Sequence, residues 1–258
     1  MKIKAVLLDI DGTVMISTDP VPGAAEAIRF LQEQNIPYRF ISNGTRRSRR
    51  NVLEKLKHLE VPVALEDIFT PSAAAIEYLK EKQISACNLL VTKDLMNDFL
   101  EAGISHDPKS VNVVVGDAAD RFTYEMMNTA FRGLIRGGEL IALEKDRFWK
   151  DTDGLALSAG PFVSALEYAA GCKAILMGKP SSHYFTIARS GFPGDPDETI
   201  MVGDDIMTDV KGAMDAGLTG VIVFSGKFSI DEIDTCGIEP DGSMSSIAVL
   251  PQFLQMHR

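Results

Sequence analysis

Ala5-Val6-Leu7-Leu8-Asp9-Ile10-Asp11-Gly12-Thr13 is the stretch on which the reading of the whole chain turns. It opens on an unbroken aliphatic run, the pattern of a strand buried on both faces. Two aspartates close it. In extended backbone, residues two apart point the same way, so Asp9 and Asp11 are both expected at the carboxyl edge of a sheet. Open α/β sheets bind their ligands along that edge. Gly12 then permits a sharp turn. Two carboxylates ending an apolar strand are costly unless something compensates them. A bound Mg²⁺ is the natural compensation, because it is a hard cation that prefers oxygen ligands. A calcium-binding EF-hand loop also begins Asp-x-Asp, but it needs glycine at its sixth place and glutamate at its twelfth. Those places hold Val14 and Pro20, which excludes it.

Outward from this stretch, short aliphatic runs alternate with helical periodicity. Strands are expected at 37–42, 68–70, 88–92, 111–116, 139–143, 173–178, 199–203 and 220–224. Helices are expected near 23–34, 46–59, 72–82, 94–102, 123–136, 161–170 and 208–216. Continuous apolar strands alternating with helices predict an α/β protein whose parallel sheet is covered on both faces.

Three more strand ends carry polar groups of the types a phosphate site needs. Ser42-Asn43-Gly44-Thr45 offers a hydroxyl and the free amides of a helix start. Gly178-Lys179-Pro180 puts an ammonium at a strand end, where it can balance phosphate and aspartate charge. Gly203-Asp204-Asp205-Ile206-Met207-Thr208-Asp209 adds a second acidic cluster that could supply further metal ligands. Each has a plainer reading by itself: a helix cap, a solvated lysine, an N-capping aspartate. Together, in this order and each after a strand, they are far more specific than any one alone.

This set of four resembles the haloacid dehalogenase superfamily of phosphatases. About 135 residues separate Ser42 from Lys179, far more than a βαβ crossover needs; in that superfamily such an insertion is a class II cap. Within the superfamily the chain is closest to the NagD-like class IIA group. LIALEKDRFW (140–149), DGLALSAGPFVSALE (153–167), GDDIMTDVKGA (203–213) and FSGKF (224–228) draw it toward the branch of phospholysine, phosphohistidine and inorganic pyrophosphate phosphatases. The resemblance implies a Rossmann-like doubly wound parallel-sheet core, residues 1–78 and 178–258, with a smaller α/β cap inserted at 79–177. It also implies that Asp9 attacks phosphorus and that Asp11 serves as acid, then base. Ser42, Asn43, Gly44 and Lys179 would surround the phosphoryl group. Mg²⁺ would be held by Asp9, the Asp11 carbonyl and Asp204, with Asp205 or Asp209 completing or orienting the shell. Ser42 stands where most members have threonine, which keeps the hydroxyl, and Gly44 stands where the group varies. The implied substrate is a small phosphorylated metabolite, and the implied assembly a homodimer. Cap contacts to the leaving group are expected from 116–122 and 149–160.

Bulk properties limit the alternatives. The chain has 258 residues and a formal charge of −10, which disfavours a phosphate-backbone or anionic-membrane partner. Cys87, Cys172 and Cys236 are far apart and show no ligand spacing, which fits a reducing, cytoplasmic setting. No apolar run approaches the roughly 18 residues of a membrane span. Arg46, Arg47, Arg49 and Arg50 could attract polyanions or simply open a solvated helix. His183, four residues after Lys179, could approach the site, though helix packing is its plainer role. GVIVFSGKF lacks the spacing and the terminal hydroxyl of a P-loop. Two rival functions stand: a phosphotransferase or mutase on the same scaffold, and a non-catalytic phospholigand-binding or receiver-like protein.

Overall fold

The computed structural model describes residues 2–60, 63–227 and 237–257. The chain divides into two compact units, one formed by Met1–Ser42, Arg50–Phe69 and Lys179–Arg258, the other by Asn43–Arg49 and Thr70–Gly178. The second unit includes the whole of the expected insertion, residues 79–177, and adds to it residues 43–49, residues 70–78 and Gly178, all expected in the core. Among the described residues no helix is long and apolar enough to cross a membrane.

The first unit is organised by a six-stranded sheet. Its order is Gly242–Met244, Thr219–Val223, Thr199–Gly203, Ala5–Asp9, Tyr38–Ile41 and Ile68–Phe69. Every pairing is parallel. Val6, Leu7 and Leu8 are fully buried, as an unbroken aliphatic strand at the centre of such a sheet must be. Strand order reverses between Ala5–Asp9 and Thr199–Gly203, so the crevice of a doubly wound fold opens at their carboxyl ends. The Ala24–Glu33 helix buries Ala24, Ala27, Ile28 and Leu31, one face at helical spacing. That face joins Val6, Leu8, Phe40, Val202 and Val221 in one core cluster. Each large apolar side chain buried there contributes about 1.5–3 kcal/mol.

Tyr184, fully buried on the Ser182–Ala188 helix, ties two strand ends together. Its hydroxyl lies 3.1 Å from the carbonyl oxygens of both Ser42 and Phe69. Burial pushes its phenol pKa up, so it stays a donor. Tyr184→Phe is expected to cost about 1–2 kcal/mol, since it removes the buried hydroxyl donor shared by the two carbonyls, of which that of Phe69 keeps the Ser42 amide at 3.3 Å. Urea unfolding measures this, and an unchanged midpoint would show that the bond adds nothing.

The second unit has a smaller parallel sheet, ordered Ile175–Leu176, Leu140–Ala142, Val113–Val115, Ala86–Leu90 and Ser105–His106. The helices Tyr124–Leu134 and Gly160–Ala170 pack with it, sharing a core of Val113, Val115, Leu134, Val163 and Leu166. A separate antiparallel hairpin, Phe148–Asp151 with Gly154–Leu157, was not expected from sequence. Phe148, Leu155 and Leu157 are all exposed, and apolar residues do not alternate with polar ones along either strand, so the sequence pattern of a half-buried strand is absent. Glu144 fastens the chain on either side of this hairpin. Its buried carboxylate accepts bonds from Ser158 Oγ at 2.6 Å and the Ala159 amide at 2.8 Å, and from the amide of Asp146. Burial still holds its pKa above the usual range.

Candidate active site

At the carboxyl edge of the first unit's sheet, the central strand ends on Asp9, paired in register with Ile41. The neighbouring strand runs to Gly203, and Asp204 follows it. Lys179 is buried against both loops. Its Nζ lies 2.5 Å from Asp9 Oδ1 and 2.5 Å from Asp209 Oδ1. Asp9, Lys179, Asp204 and Asp209 are each at most 6% exposed. Carboxylate oxygens of Asp9, Asp204 and Asp209 all lie within 4.8 Å of one another.

Asp209 reaches this cluster through an unusual local structure. Ile206–Lys211 forms a π-helical turn, which is rare and concentrated at functional sites. Asp205 starts it, accepting bonds from the amides of Met207 and Thr208 at 3.0 Å each. Those bonds and Lys227 outweigh burial and hold the Asp205 pKa below the usual range. The Asp205 carboxylate therefore serves its own helix, while its amide donates to Asp209 Oδ2 at 3.1 Å. Gly203 makes room: a Cβ there would lie 2.4 Å from the Asp209 side chain.

Three buried carboxylates facing one ammonium leave an excess of negative charge. Burial raises the pKa of Asp9 well above the aspartate range, Lys179 pulls it down in part, and Asp209 and Asp204 push it up again. Asp204 is likewise raised by burial, against a backbone hydrogen bond from Lys227. Burial lowers Lys179, but Asp209 and Asp9 outweigh it and keep it an ammonium. Such a cluster is stable only with more positive charge. An all-oxygen donor set of this kind fits a hard divalent cation. The space around it is reserved by glycine: Cβ atoms at Gly12 and Gly226 would come within 2.1 and 1.9 Å of Asp204 Oδ2.

The remaining expected residues are placed differently. The side chain of Asp11 is 68% exposed and pairs with Lys55, a partner that sequence reading did not find. Ser42 closes the first segment of the first unit, one residue past the partner of Asp9. Asn43 and Gly44 belong to the second unit, where Asn43 Nδ2 lies 3.4 Å from Asp146 Oδ2. His183 is exposed. Within the second unit, Arg46 joins the two segments expected to contact a leaving group. Its Nε donates to Asp117 Oδ2 at 2.8 Å and its guanidinium stacks 4.4 Å from the Trp149 ring. Cys87 is buried and Cys172 half-buried; Cys236 and Phe228 lie outside the described residues. The site residues that sequence reading missed are in the turn Ser225–Lys227, which bonds Gly12 and Asp204. It too follows a buried strand at the same sheet edge, the signal by which the other loops were found.

Comparison with known proteins places the chain in a family. A family profile described as haloacid dehalogenase-like hydrolase matches residues 6–105, and a second, HAD-hydrolase-like, matches residues 176–250. Haloacid dehalogenase-like hydrolase domain-containing protein 2 of Bos taurus is 42% identical over 92% of this chain and 90% of its own. Phospholysine phosphohistidine inorganic pyrophosphate phosphatase of Xenopus laevis is 34% identical over 95% of this chain and 92% of its own. The solved structure of NagD from E. coli K-12 superposes with a TM-score of 0.86 at 26% identity, covering 96% of this chain and 98% of that one. The chain belongs to the haloacid dehalogenase-like hydrolases, in their NagD-like class IIA group.

Proposed function

We propose that this protein is a Mg²⁺-dependent phosphatase that hydrolyses small phosphorylated compounds through an aspartyl-phosphate on Asp9. The observation that carries the proposal is Lys179 Nζ, 2.5 Å from both Asp9 and Asp209, with the Asp204 carboxylate in the same buried cluster. The relative in Xenopus laevis, named as a phosphatase, supports the same class of reaction.

Asp9 is the nucleophile: its carboxylate attacks phosphorus and the leaving-group oxygen departs. Asp11 supplies the proton to that oxygen, then takes one from the water that cleaves the acyl phosphate. The two carboxylates sit differently: Asp9 is buried, and a bound cation together with Lys179 would keep it ionised against that burial, whereas the Asp11 side chain is 68% exposed, where it can meet the leaving group and water. Lys179 offsets charge on the phosphoryl oxygens, and Ser42, Asn43 and Gly44 help hold them in line. Asp9, Asp204 and Asp209, with the carbonyl of Asp11, are the groups that would hold or orient Mg²⁺. The ion would neutralise charge that develops on the transferring phosphoryl group. Asp205, as the cap of its helix, would support Asp209.

In this reading residues 79–177 act as a class IIA cap whose 116–122 and 149–160 segments select the leaving group. A homodimer and a cytoplasmic setting complete the proposal; Cys87 and Cys172, free among the described residues, suit a reducing compartment.

A panel of p-nitrophenyl phosphate, inorganic pyrophosphate and a phosphoamidate, with Mg²⁺ or with EDTA, tests it. Mg²⁺ is expected to raise phosphate release in plain buffer by at least about 100-fold. Release without an added acceptor separates hydrolysis from phosphotransfer. Undiminished release in EDTA, or none from any compound, would overturn the reading.

A further inference from the structure

The turn after the Thr219–Val223 strand meets the acidic cluster at Asp204 and the turn after Asp9 and Asp11 at Gly12. Ser225 Oγ donates to the Gly12 carbonyl at 2.8 Å. The Lys227 amide donates to Asp204 Oδ2 at 2.8 Å. Between them, Gly226 lies so close that a Cβ there would stand 1.9 Å from Asp204 Oδ2 and 2.5 Å from its Cγ. Gly12 crowds the same carboxylate, where a Cβ would stand 2.1 Å from Oδ2. Asp204 is thus packed between two glycines from turns after two different strands, with one oxygen fixed by an amide.

We propose that Ser225-Gly226-Lys227 is a positioning segment of the active site, which orients the Asp204 carboxylate for divalent-cation binding and locks it to the turn after Asp9 and Asp11. The inference rests on the cation-dependent reading above. The terminal torsion of an aspartate is soft and broad, so its burial alone does not orient it. The Lys227 amide removes that freedom by engaging Oδ2, and the missing Cβ at Gly226 allows the approach. Ser225 extends the same constraint to Gly12, so the two strand-end turns move as one. Partners of this kind, one bond removed from a metal, change metal affinity by about 10–100-fold.

Gly226 has no left-handed φ, so alanine there tests the contact with Asp204 and not backbone strain. Thermal melting of the full chain, without substrate, is followed across a Mg²⁺ titration. Gly226→Ala is expected to raise the Mg²⁺ concentration for half-maximal stabilisation by about 10–100-fold, and Ser225→Ala to raise it by up to about tenfold. Circular dichroism reports whether each variant folds; if Gly226→Ala does not, Ser225→Ala alone decides. A purely structural role would lower the melting temperature in EDTA and leave the Mg²⁺ midpoint in place. Midpoints equal to wild type would overturn the inference. A wild-type protein that ignores Mg²⁺ would overturn the cation reading and this inference together, whereas a wild-type response shared by the variants would overturn this inference alone.

Discussion

Asp9→Asn is expected to lower kcat by at least about 10⁴-fold, as the loss of a covalent nucleophile does, and to leave the protein folded. The second half of that expectation comes from the electrostatics of the cluster. Asp9, Asp204 and Asp209 crowd three carboxylates around one ammonium. Burial is the largest influence on Asp9, and the neighbouring carboxylates add to it. An amide at this position removes one of three mutually repelling charges and keeps the shape. Lys179 retains Asp209 as its partner at 2.5 Å. In EDTA the variant should therefore melt at or above the wild-type temperature, while its gain in stability on adding Mg²⁺ is reduced. Steady-state phosphate release and melting curves with and without Mg²⁺ make the check. Turnover within tenfold of wild type would remove Asp9 from its assigned role. A collapse of the fold would instead show that its negative charge is needed to neutralise Lys179.

Much of the first unit could be read from residues alone, because buried parallel strands leave a plain signature. Val6–Leu8 and Ile200–Val202 are apolar without interruption and are fully buried side by side. Polar residues at the ends of such runs had to fall on one sheet edge, and that is why Asp9 and Asp204 were found together. Gly242–Met244 was missed for the opposite reason. Gly-Ser-Met has little strand propensity of its own, and it is extended only because Val221–Val223 offers a free edge to pair with.

Within the site, legibility ended where the outcome depended on geometry off the strands. Sequence left Asp205 and Asp209 as alternatives. The π-turn Ile206–Lys211 gives their carboxylates different partners, since it brings the fifth residue after Asp204 back to Lys179 while Asp205 bonds the amides of Met207 and Thr208. No spacing rule predicts such a turn from composition. The pairing of Asp11 with Lys55 joins residues 44 apart in the chain, and the contact of Gly12 with Ser225 joins residues 213 apart. These are tertiary contacts, which local periodicity does not encode.

Lys179→Met should be the most damaging substitution to stability, at about 3–5 kcal/mol in EDTA at neutral pH, the cost of breaking a buried ion pair from one side. Methionine is close in size and apolar, so packing is nearly kept, and the loss is that of a buried positive charge. Lys179 is 4% exposed and answers two carboxylates that are 6% and 1% exposed. Water cannot replace it. The penalty should depend on pH in a definite direction. Asp9 and Asp204 already have folded pKa values above their ordinary ones, and removing the ammonium raises that of Asp9 further. A carboxyl raised on folding lends stability that is fully present below its unfolded pKa and is lost as pH rises through the folded value. The variant's deficit should therefore be small near the ordinary aspartate pKa and grow as pH rises toward neutrality. Mg²⁺ should recover part of it, because a bound cation neutralises the same charge and stabilises by mass action. Urea unfolding at several pH values in EDTA, repeated in Mg²⁺, measures both effects. A deficit that is flat across pH would mean that lost packing, not unpaired charge, accounts for the damage, and the electrostatic account of the site would fail with it.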